Sequence, residues 1–286
     1  MKKANYELVR AFLTKENPEA YDFKQEDACL SEIQDPLERE LFFKRRGTKA
    51  IDPDCCELTM SIMCLLLEMQ GMPVCGYEGR HIYLKNGTIL ETDTANSFIS
   101  LYKGALMTHV AGYDDLCDKY GITGGFMDAY DDLIYPHRDE FSLTGHHEEL
   151  MDRFKQFAAL THAIGNFILG PKGFNCADPR SKAKIISAKF WDRFDRIDLF
   201  FQKTAEDAAY ADWKKWFSEN CITTYNDFFY EKVSYGADGK TVDLTKSALY
   251  DLGDPDLVKR VDRINQIILL RGKAITKDLR AYLKTV

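Results

Sequence analysis

Apolar residues recur every three or four positions along most of this 286-residue chain. The clearest run comprises Leu58, Ile62, Leu65, Leu66 and Met69, and Gly71 follows it. An α-helix of 3.6 residues per turn brings such a run onto one face, whereas a half-buried strand needs strict alternation. The period therefore predicts a mainly α fold in which more than half of the residues are helical.

Signals at helix ends support this prediction. Asp35 and Pro36 open a segment with acidic residues early, basic residues late and Gly47 beyond its end, which is typical of a helix. Asp54 is expected to cap the helix that contains Leu58.

Other helices are predicted at both ends and in the middle of the chain. One is expected over residues 5–14, one over 145–164, and one from Asp254-Pro255 past Gly272 towards Leu283. A further helix carries Phe190, Phe194, Ile197 and Phe201 on one face.

One stretch has the alternation of β-structure. The tracts HIYLK and TILET flank Asn86-Gly87, a dipeptide favoured in two-residue hairpins, and 73–77 is a candidate third strand. The predicted fold class is therefore mainly α, or α+β with one small antiparallel hairpin or sheet. Because no repeat or linker is visible, residues 1–286 are expected to form a single compact multi-helix unit. The alternative is that 1–92, helices plus the small sheet, packs on a helical core of 93–286.

Charge and composition exclude several classes of protein. The chain has 38 basic and 45 acidic residues and a net charge of −7, so no binding of extended duplex nucleic acid is expected. No apolar stretch reaches the roughly 20 residues of a membrane span, and none follows Lys2 and Lys3 as in a secretory signal. We therefore expect a cytoplasmic protein without membrane contact. Its eight cysteines lack C-x-x-C spacing and are expected to be free thiols.

Two polar patches lie before residue 170. Asp93, Thr94, Asn96 and Ser97 fall at a predicted strand-to-helix junction, where they could bind a ligand beside free backbone N–H groups or simply cap the helix. His162 and Asn166 are four residues apart and would share a face if the helix persists. His162 is then either a general acid or base or a hydrogen-bonded packing residue.

Two more polar patches lie after residue 170. Asn175, Arg180 and Lys184 lie in a loop region suited to an anion, although solvated loop charges explain them equally well. Asp192 could orient His162 or a water molecule, or it could form an ordinary intrahelical pair with Arg196.

Motifs for common cofactors are missing. The sequence has no G-x-G-x-x-G, Walker-type or G-x-S-x-G motif, which argues against Rossmann, P-loop and α/β-hydrolase folds, and no cofactor is evident. His146 and Glu149 are three residues apart but match no zinc spacing, so no metal site is predicted.

The order of the polar patches along the chain resembles that of a known family. The tracts DTANSF, THAIGNFILGPKGFN, RS, FWD and LLRGKAI resemble the landmarks of a large uncharacterised family in Firmicutes and their mobile elements, whose members tend to read DTMNSF, THTIGNF, GFN, RS, YWDL and RGK. The likeness spans about residues 80–275. The chain departs from the family at Ala95, where Met is usual, and in a longer connection between GFN and RS.

This resemblance implies a shared pocket but names no reaction. The residues that carry the resemblance onto this chain are Asp93, Thr94, Asn96, Ser97, His162, Gly165, Asn166, Asn175, Arg180, Asp192, Arg271 and Lys273. The resemblance also associates the chain with bacterial mobile elements or phage defence.

The sequence thus predicts a pocket for an anionic small molecule, in a nucleotide- or nucleic-acid-end-processing hydrolase or transferase. His162 would be the acid or base, Asp192 would orient it, and Asn166, Asn175, Arg180, Lys184, Arg271 or Lys273 would hold phosphate. The alternative is a non-catalytic binding or interaction protein whose polar residues form a buried structural network.

Overall fold

A computed structural model describes residues 1–45, 47–109, 115, 118–121, 130–138, 148–171 and 257–286. Its α-helices are α1 (Tyr6–Leu13), α2 (Ala28–Ser31), α3 (Pro36–Phe43), α4 (Glu57–Met69), α5 (Phe98–His109), α6 (Glu148–Leu160) and α7 (Leu257–Tyr282). Its strands are β1 (Val74–Glu78), β2 (His81–Leu84), β3 (Ile89–Thr94) and β4 (Phe167–Pro171). Short 3₁₀ turns cover Pro18–Ala20, Phe23–Glu26 and Pro53–Cys55, and a π-helical turn covers Tyr130–Ile134. The predicted fold class, mainly helical with one small antiparallel sheet, is confirmed.

Side chains at the helix starts explain several boundaries. Asn5 caps α1 by accepting from the Leu8 N–H, and Asp35 caps α3 by accepting from the Leu37 and Glu38 N–H groups. Both helices begin where the sequence predicts.

The predicted cap of α4 is wrong. Pro53 begins a separate 3₁₀ turn, so the backbone becomes extended only at Cys56, whose Sγ accepts from the Thr59 N–H at 3.5 Å. Asp54 therefore lies within the turn before the helix, and its carboxyl group is free for another role.

The middle helix is shorter than predicted. α6 ends at Leu160, and turns follow in which the Ala163 N–H donates to Leu160 O and the Asn166 N–H donates to Ala163 O. His162 and Asn166 therefore do not share a helical face. Within these turns Gly165 packs closely on the backbone of α7, where a Cβ atom would overlap the Ile268 carbonyl oxygen.

The four strands form an antiparallel sheet in the order β1-β2-β3-β4. Gly87 adopts φ 88° in the predicted hairpin between β2 and β3, and the predicted third strand is β1. β4 was not predicted, and it pairs with β3 so that Phe167 opposes Thr94. Lys2 adds an isolated bridge to Tyr77.

One face of the sheet packs against helices. Apolar residues of β1–β4 join those of α1, α4 and α7 in a common core, including Phe12, Ile62, Leu65, Ile82, Leu90, Phe167 and Leu279. α7 runs through Gly272, as predicted, and also packs on α6 and the 3₁₀ turn at Pro18–Ala20. The alternative division of the chain after residue 92 would cut through β3. That residues 1–286 form one unit stays a prediction.

Three other predictions meet the structure only in part. Cys29, Cys55, Cys56, Cys64 and Cys75 are free, and the remaining cysteines lie outside the described residues. So does the predicted helix with Phe190 and Phe201. Among the helices of the described segments, none is both long and apolar enough to cross a membrane.

Candidate functional site

Two predicted residues, Asn96 and Asn166, form a pair that we call the asparagine clamp. Asn166 Oδ1 accepts from both the backbone N–H and Nδ2 of Asn96, each at 3.1 Å. Asn166 Nδ2 donates to Asn96 O at 3.0 Å and to Thr161 O at 2.7 Å. The clamp is fully buried, and it joins the end of β3 to the turn before β4.

Arg271 and His162 hold the same turn to other elements. Arg271 is buried and its Nη1 donates to Gly165 O at 2.8 Å, which ties α7 to the turn. The carbonyl oxygen of His162 accepts from the Phe23 N–H at 3.0 Å. The tract THAIGNF is thus fixed by its backbone on several sides.

The His162 side chain points into a buried group of charged residues, which we call the ion cluster: Asp22, Lys24, Arg39, Glu40, Asp54 and His162. Lys24 Nζ lies 2.9 Å from Asp22 Oδ1, 3.0 Å from Glu40 Oε2 and 2.9 Å from Ala158 O. Arg39 Nη1 donates to Asp22 Oδ2 at 2.8 Å. Two cations and two carboxylates are therefore paired at the centre of the cluster.

Charge pairing fixes the ionisation of these residues. Burial lowers the pKa of Lys24, but attraction to Glu40 and Asp22 outweighs it and leaves the pKa above its ordinary value. Burial raises the pKa of Glu40, but Lys24, Lys44 and His162 outweigh it and leave the pKa well below its ordinary value. Lys24 and Glu40 therefore form a buried ion pair in which the charged form of each group is favoured.

His162 lies between this pair and Asp54. Its Nδ1 is 3.4 Å from Lys24 Nζ and 3.5 Å from Glu40 Oε2, while its Nε2 is 3.8 Å from Asp54 Oδ1. Burial and the positive charge of Lys24 lower the pKa of His162, against the opposing effect of Glu40. The environment therefore favours the neutral imidazole.

The pKa of Asp54 is shifted in the opposite direction, upwards. Burial and the negative charges of Asp93 and Asp52 raise its pKa well above the ordinary value of 3.8, and the cations Lys44 and Arg80 only partly oppose them. The environment favours the neutral carboxylic acid. Two side chains whose pKa values are shifted in opposite directions thus face each other across 3.8 Å.

The remaining predicted residues divide between the described and undescribed segments. Asp93 is half-buried and accepts from the Thr94 N–H, Thr94 is buried in β3, Ser97 is half-buried, and Lys273 is exposed on α7. The structure thus places His162 and Asn166 on one turn, to which Asn96 and Arg271 are bound. Asn175, Arg180, Lys184 and Asp192 lie outside the described residues, as does His146.

Sequence reasoning missed Lys24, Glu40 and Asp54 as partners of His162. Glu40 is a charged residue within α3, for which exposure is the usual expectation although the residue is fully buried, and Lys24 belongs to no motif. Only Asp54 had a local signal, its position beside a helix start, and that signal was interpreted as a cap.

The described cavities lie away from the ion cluster. An open groove of about 810 Å³ is lined by residues 2–7 with Glu57, Glu68, Val74 and Tyr77. A smaller one of about 330 Å³ is lined by Asp27, Cys29, Phe42, Arg45, Gly47, Thr48, Lys49 and Ala50. In the segments that the structure describes, no three His, Cys, Asp or Glu side chains are placed so that they could hold a metal ion together.

Comparisons of the chain with protein-family models, with curated proteins and with solved structures found no match. The resemblance of its polar tracts to the Firmicute family therefore stays a prediction.

Proposed function

We propose that the protein is an acid–base enzyme, a hydrolase or transferase, in which His162 and Asp54 exchange protons with a small-molecule substrate. The observation that carries this proposal is the approach of His162 Nε2 to Asp54 Oδ1 at 3.8 Å. The environment favours the neutral form of both groups, and such opposed pKa shifts are typical of acid–base pairs in active sites. Asp192 is retained as a candidate outside the described residues.

The cost of the ion cluster supports a chemical role. Burying charged groups costs several kcal/mol each before pairing, and well-packed apolar residues often serve stability as well or better. Lys24 and Arg39 are compensated, whereas Glu40 Oε1 and Oε2 and Asp54 Oδ1 are buried and accept no hydrogen bond from the described residues. Glu40 still has Lys24 as its ion partner at 3.0 Å, while Asp54 Oδ1 faces His162 at 3.8 Å. An imperfectly satisfied acid beside a histidine has a clearer explanation in chemistry than in packing.

We propose the substrate class predicted from the sequence, a nucleotide or a nucleic-acid end. Its support comes from the predicted cations of the loop region, Arg180 and Lys184, together with Asn175. Arg271 contributes less, since it is buried and bound to Gly165 O.

A second candidate is a non-catalytic binding or interaction protein with a structural polar network. The asparagine clamp favours it, because its amide groups pair with one another and with Thr161 O. The His162 side chain is also only 2% exposed. We assign a structural role to the asparagine clamp and an acid–base role to His162.

Turnover of the full-length protein tests the choice. Wild type, His162→Asn and the control His81→Asn are incubated with a panel of nucleotides and phosphate-ended oligonucleotides. His81 is a suitable control because it is a partly exposed histidine that faces Glu91 at 3.6 Å on the sheet. We expect turnover to be lost in His162→Asn and kept in His81→Asn; His162→Asn should melt at a lower temperature because His162 is buried, but its circular dichroism spectrum at the assay temperature should stay that of the folded wild type. Turnover that survives in His162→Asn, or a panel that is neither converted nor bound, would favour the second candidate.

A further inference from the structure

We infer that the protein has a separate anion site in the cavity of about 330 Å³ beside the end of α3, where Arg45 and Lys49 bind a phosphate group. Cavities that hold small ligands in proteins have volumes of roughly 300–1,000 Å³. The inference goes beyond the proposed function and does not depend on it, because no residue of the ion cluster lines this cavity.

Basic residues are concentrated in the sequence beside the cavity. The tract KRRGTK at 44–49 has four basic residues among six, in a chain whose net charge is −7. Cations in the last turn of a helix offset the helix dipole, which explains Lys44 directly after α3. The dipole does not explain Lys49, because α3 ends at Phe43 and the effect falls off within the last turn. Local positive charge in an acidic protein attracts an anionic ligand.

Arg45 and Lys49 line the cavity with exposed side chains. Within the part of the chain that the structure describes, neither side chain forms an ion pair, whereas the neighbouring Lys44 lies 3.6 Å from Glu40 Oε1. The Arg45 guanidinium lies over the ring of Tyr135, with Cζ 4.4 Å from the ring centre. This contact restrains the side chain and leaves its N–H donors available, and such a planar group of donors matches two oxygens of a phosphate.

Asp27 is the one acidic side chain among the described residues that line the cavity, and its carboxylate is already occupied. Its Oδ1 accepts from the Cys29 N–H at 2.9 Å and from the Leu30 N–H at 3.2 Å, while its Oδ2 accepts from the Ile51 N–H at 2.8 Å. Because these N–H groups offset its negative charge, the two cations determine the sign of the charge in the cavity.

The loop that carries Lys49 is anchored on both sides. Thr48 donates from its N–H to Arg45 O at 3.4 Å and from its hydroxyl to Phe42 O at 3.1 Å. Beyond Lys49, the Ile51 N–H is bound to Asp27. The cavity is therefore formed before a ligand arrives, which lowers the cost of binding.

Alkylation of the full-length protein by iodoacetamide tests the inference, because Cys29 lines the cavity as an exposed free thiol. Peptide mass spectrometry gives the rate at each cysteine in inorganic phosphate and in chloride of equal ionic strength. We expect phosphate to slow the alkylation of Cys29 along a saturation curve, by about twofold at a concentration equal to the dissociation constant. Cys55 and Cys75, half-buried thiols that do not line the cavity, should react equally in both salts.

Variants of the two cations assign the effect. Arg45→Gln and Lys49→Gln should each raise the dissociation constant for phosphate about tenfold, since each removes a charged donor. Lys15→Gln is the control, because Lys15 is an exposed lysine over the ring of Tyr21 and should leave the constant unchanged. Equal rates at Cys29 in the two salts would overturn the inference, as would equal protection in all three variants. The readout is binding, so its result is independent of whether the protein turns over a substrate.

Discussion

Asn96 and Asn166 bind each other through side chain and main chain across 70 residues of sequence. Asn166 Oδ1 accepts from the backbone and the side chain of Asn96, and Asn166 Nδ2 donates to Asn96 O. The pair fixes the junction after β3 to the turn before β4, which also carries His162. The position of His162 therefore depends on a bond that no local pattern specifies.

Replacing Asn166 by Asp should destabilise the protein. The change puts a carboxylate oxygen where Nδ2 now donates to Asn96 O and Thr161 O, so acceptors would face acceptors. We expect a loss of about 2 kcal/mol or more in the free energy of unfolding, measured in urea. Asn86→Asp is the control, because Asn86 acts as an acceptor for the Thr88 N–H. Equal stability of the two variants would show that the clamp contributes little.

Gly165→Ala should be more damaging than Gly272→Ala. A Cβ atom at Gly165 overlaps the carbonyl oxygen of Ile268, whereas at Gly272 the nearest atom is Glu19 O at 3.0 Å. We expect the first change to cost about 3 kcal/mol and the second clearly less. Melting temperatures of the two variants measure the difference, and similar values would contradict this packing of α7 on the turn.

Lys24→Met should be strongly destabilising, because it removes the cation nearest to the buried Glu40 and leaves the buried Asp22 with Arg39 alone. Loss of one partner of a buried pair costs about 3–5 kcal/mol. Lys155→Met is the matched control, since it breaks the exposed ion pair with Asp35 and should cost less than about 1 kcal/mol. If urea unfolding gives both variants the same small loss, the ion cluster is not buried as described.

The pH dependence of the free energy of unfolding should reveal the lowered pKa of His162. Its folded pKa lies below the ordinary value of 6.5, so the unfolded chain binds a proton first as the pH falls. The contribution of His162 is complete above about pH 6.5 and diminishes from there down to its folded pKa. His162→Gln should remove this part of the pH dependence, whereas His81→Asn should keep it. Unfolding curves that are unchanged in His162→Gln would mean that His162 titrates normally.

Much of the fold was predictable because its signals are local. The run from Leu58 to Met69 and the dipeptide Asn86-Gly87 each specify an element within a short window, and α4 and the hairpin occur there. β4 was missed because the helix before it ends at Leu160, earlier than its period predicts, and the turn that follows packs through Gly165 against α7, a helix about a hundred residues further along the chain. A helical period alone contains no information on that contact.

The candidate site was less predictable. His162 and the two asparagines stand out as polar residues in unusual places, and they do lie on or beside one turn. Their charged partners come from other segments: Lys24 from a 3₁₀ turn, Glu40 from α3 and Asp54 from the turn before α4. Tertiary packing brings these groups together, and a charged residue on a helix is usually exposed.

The free energy of unfolding of wild type and Asp54→Asn across pH tests the central claim, that a neutral acid faces His162. Because the folded pKa of Asp54 is raised, wild type should lose stability relative to the variant as the pH rises from about 3.8 to that folded pKa. Asn resembles the protonated acid and shows no such loss. A difference that widens with pH in favour of Asp54→Asn is the predicted result. Parallel curves, or a wild type that gains relative to the variant over this range, would contradict the account.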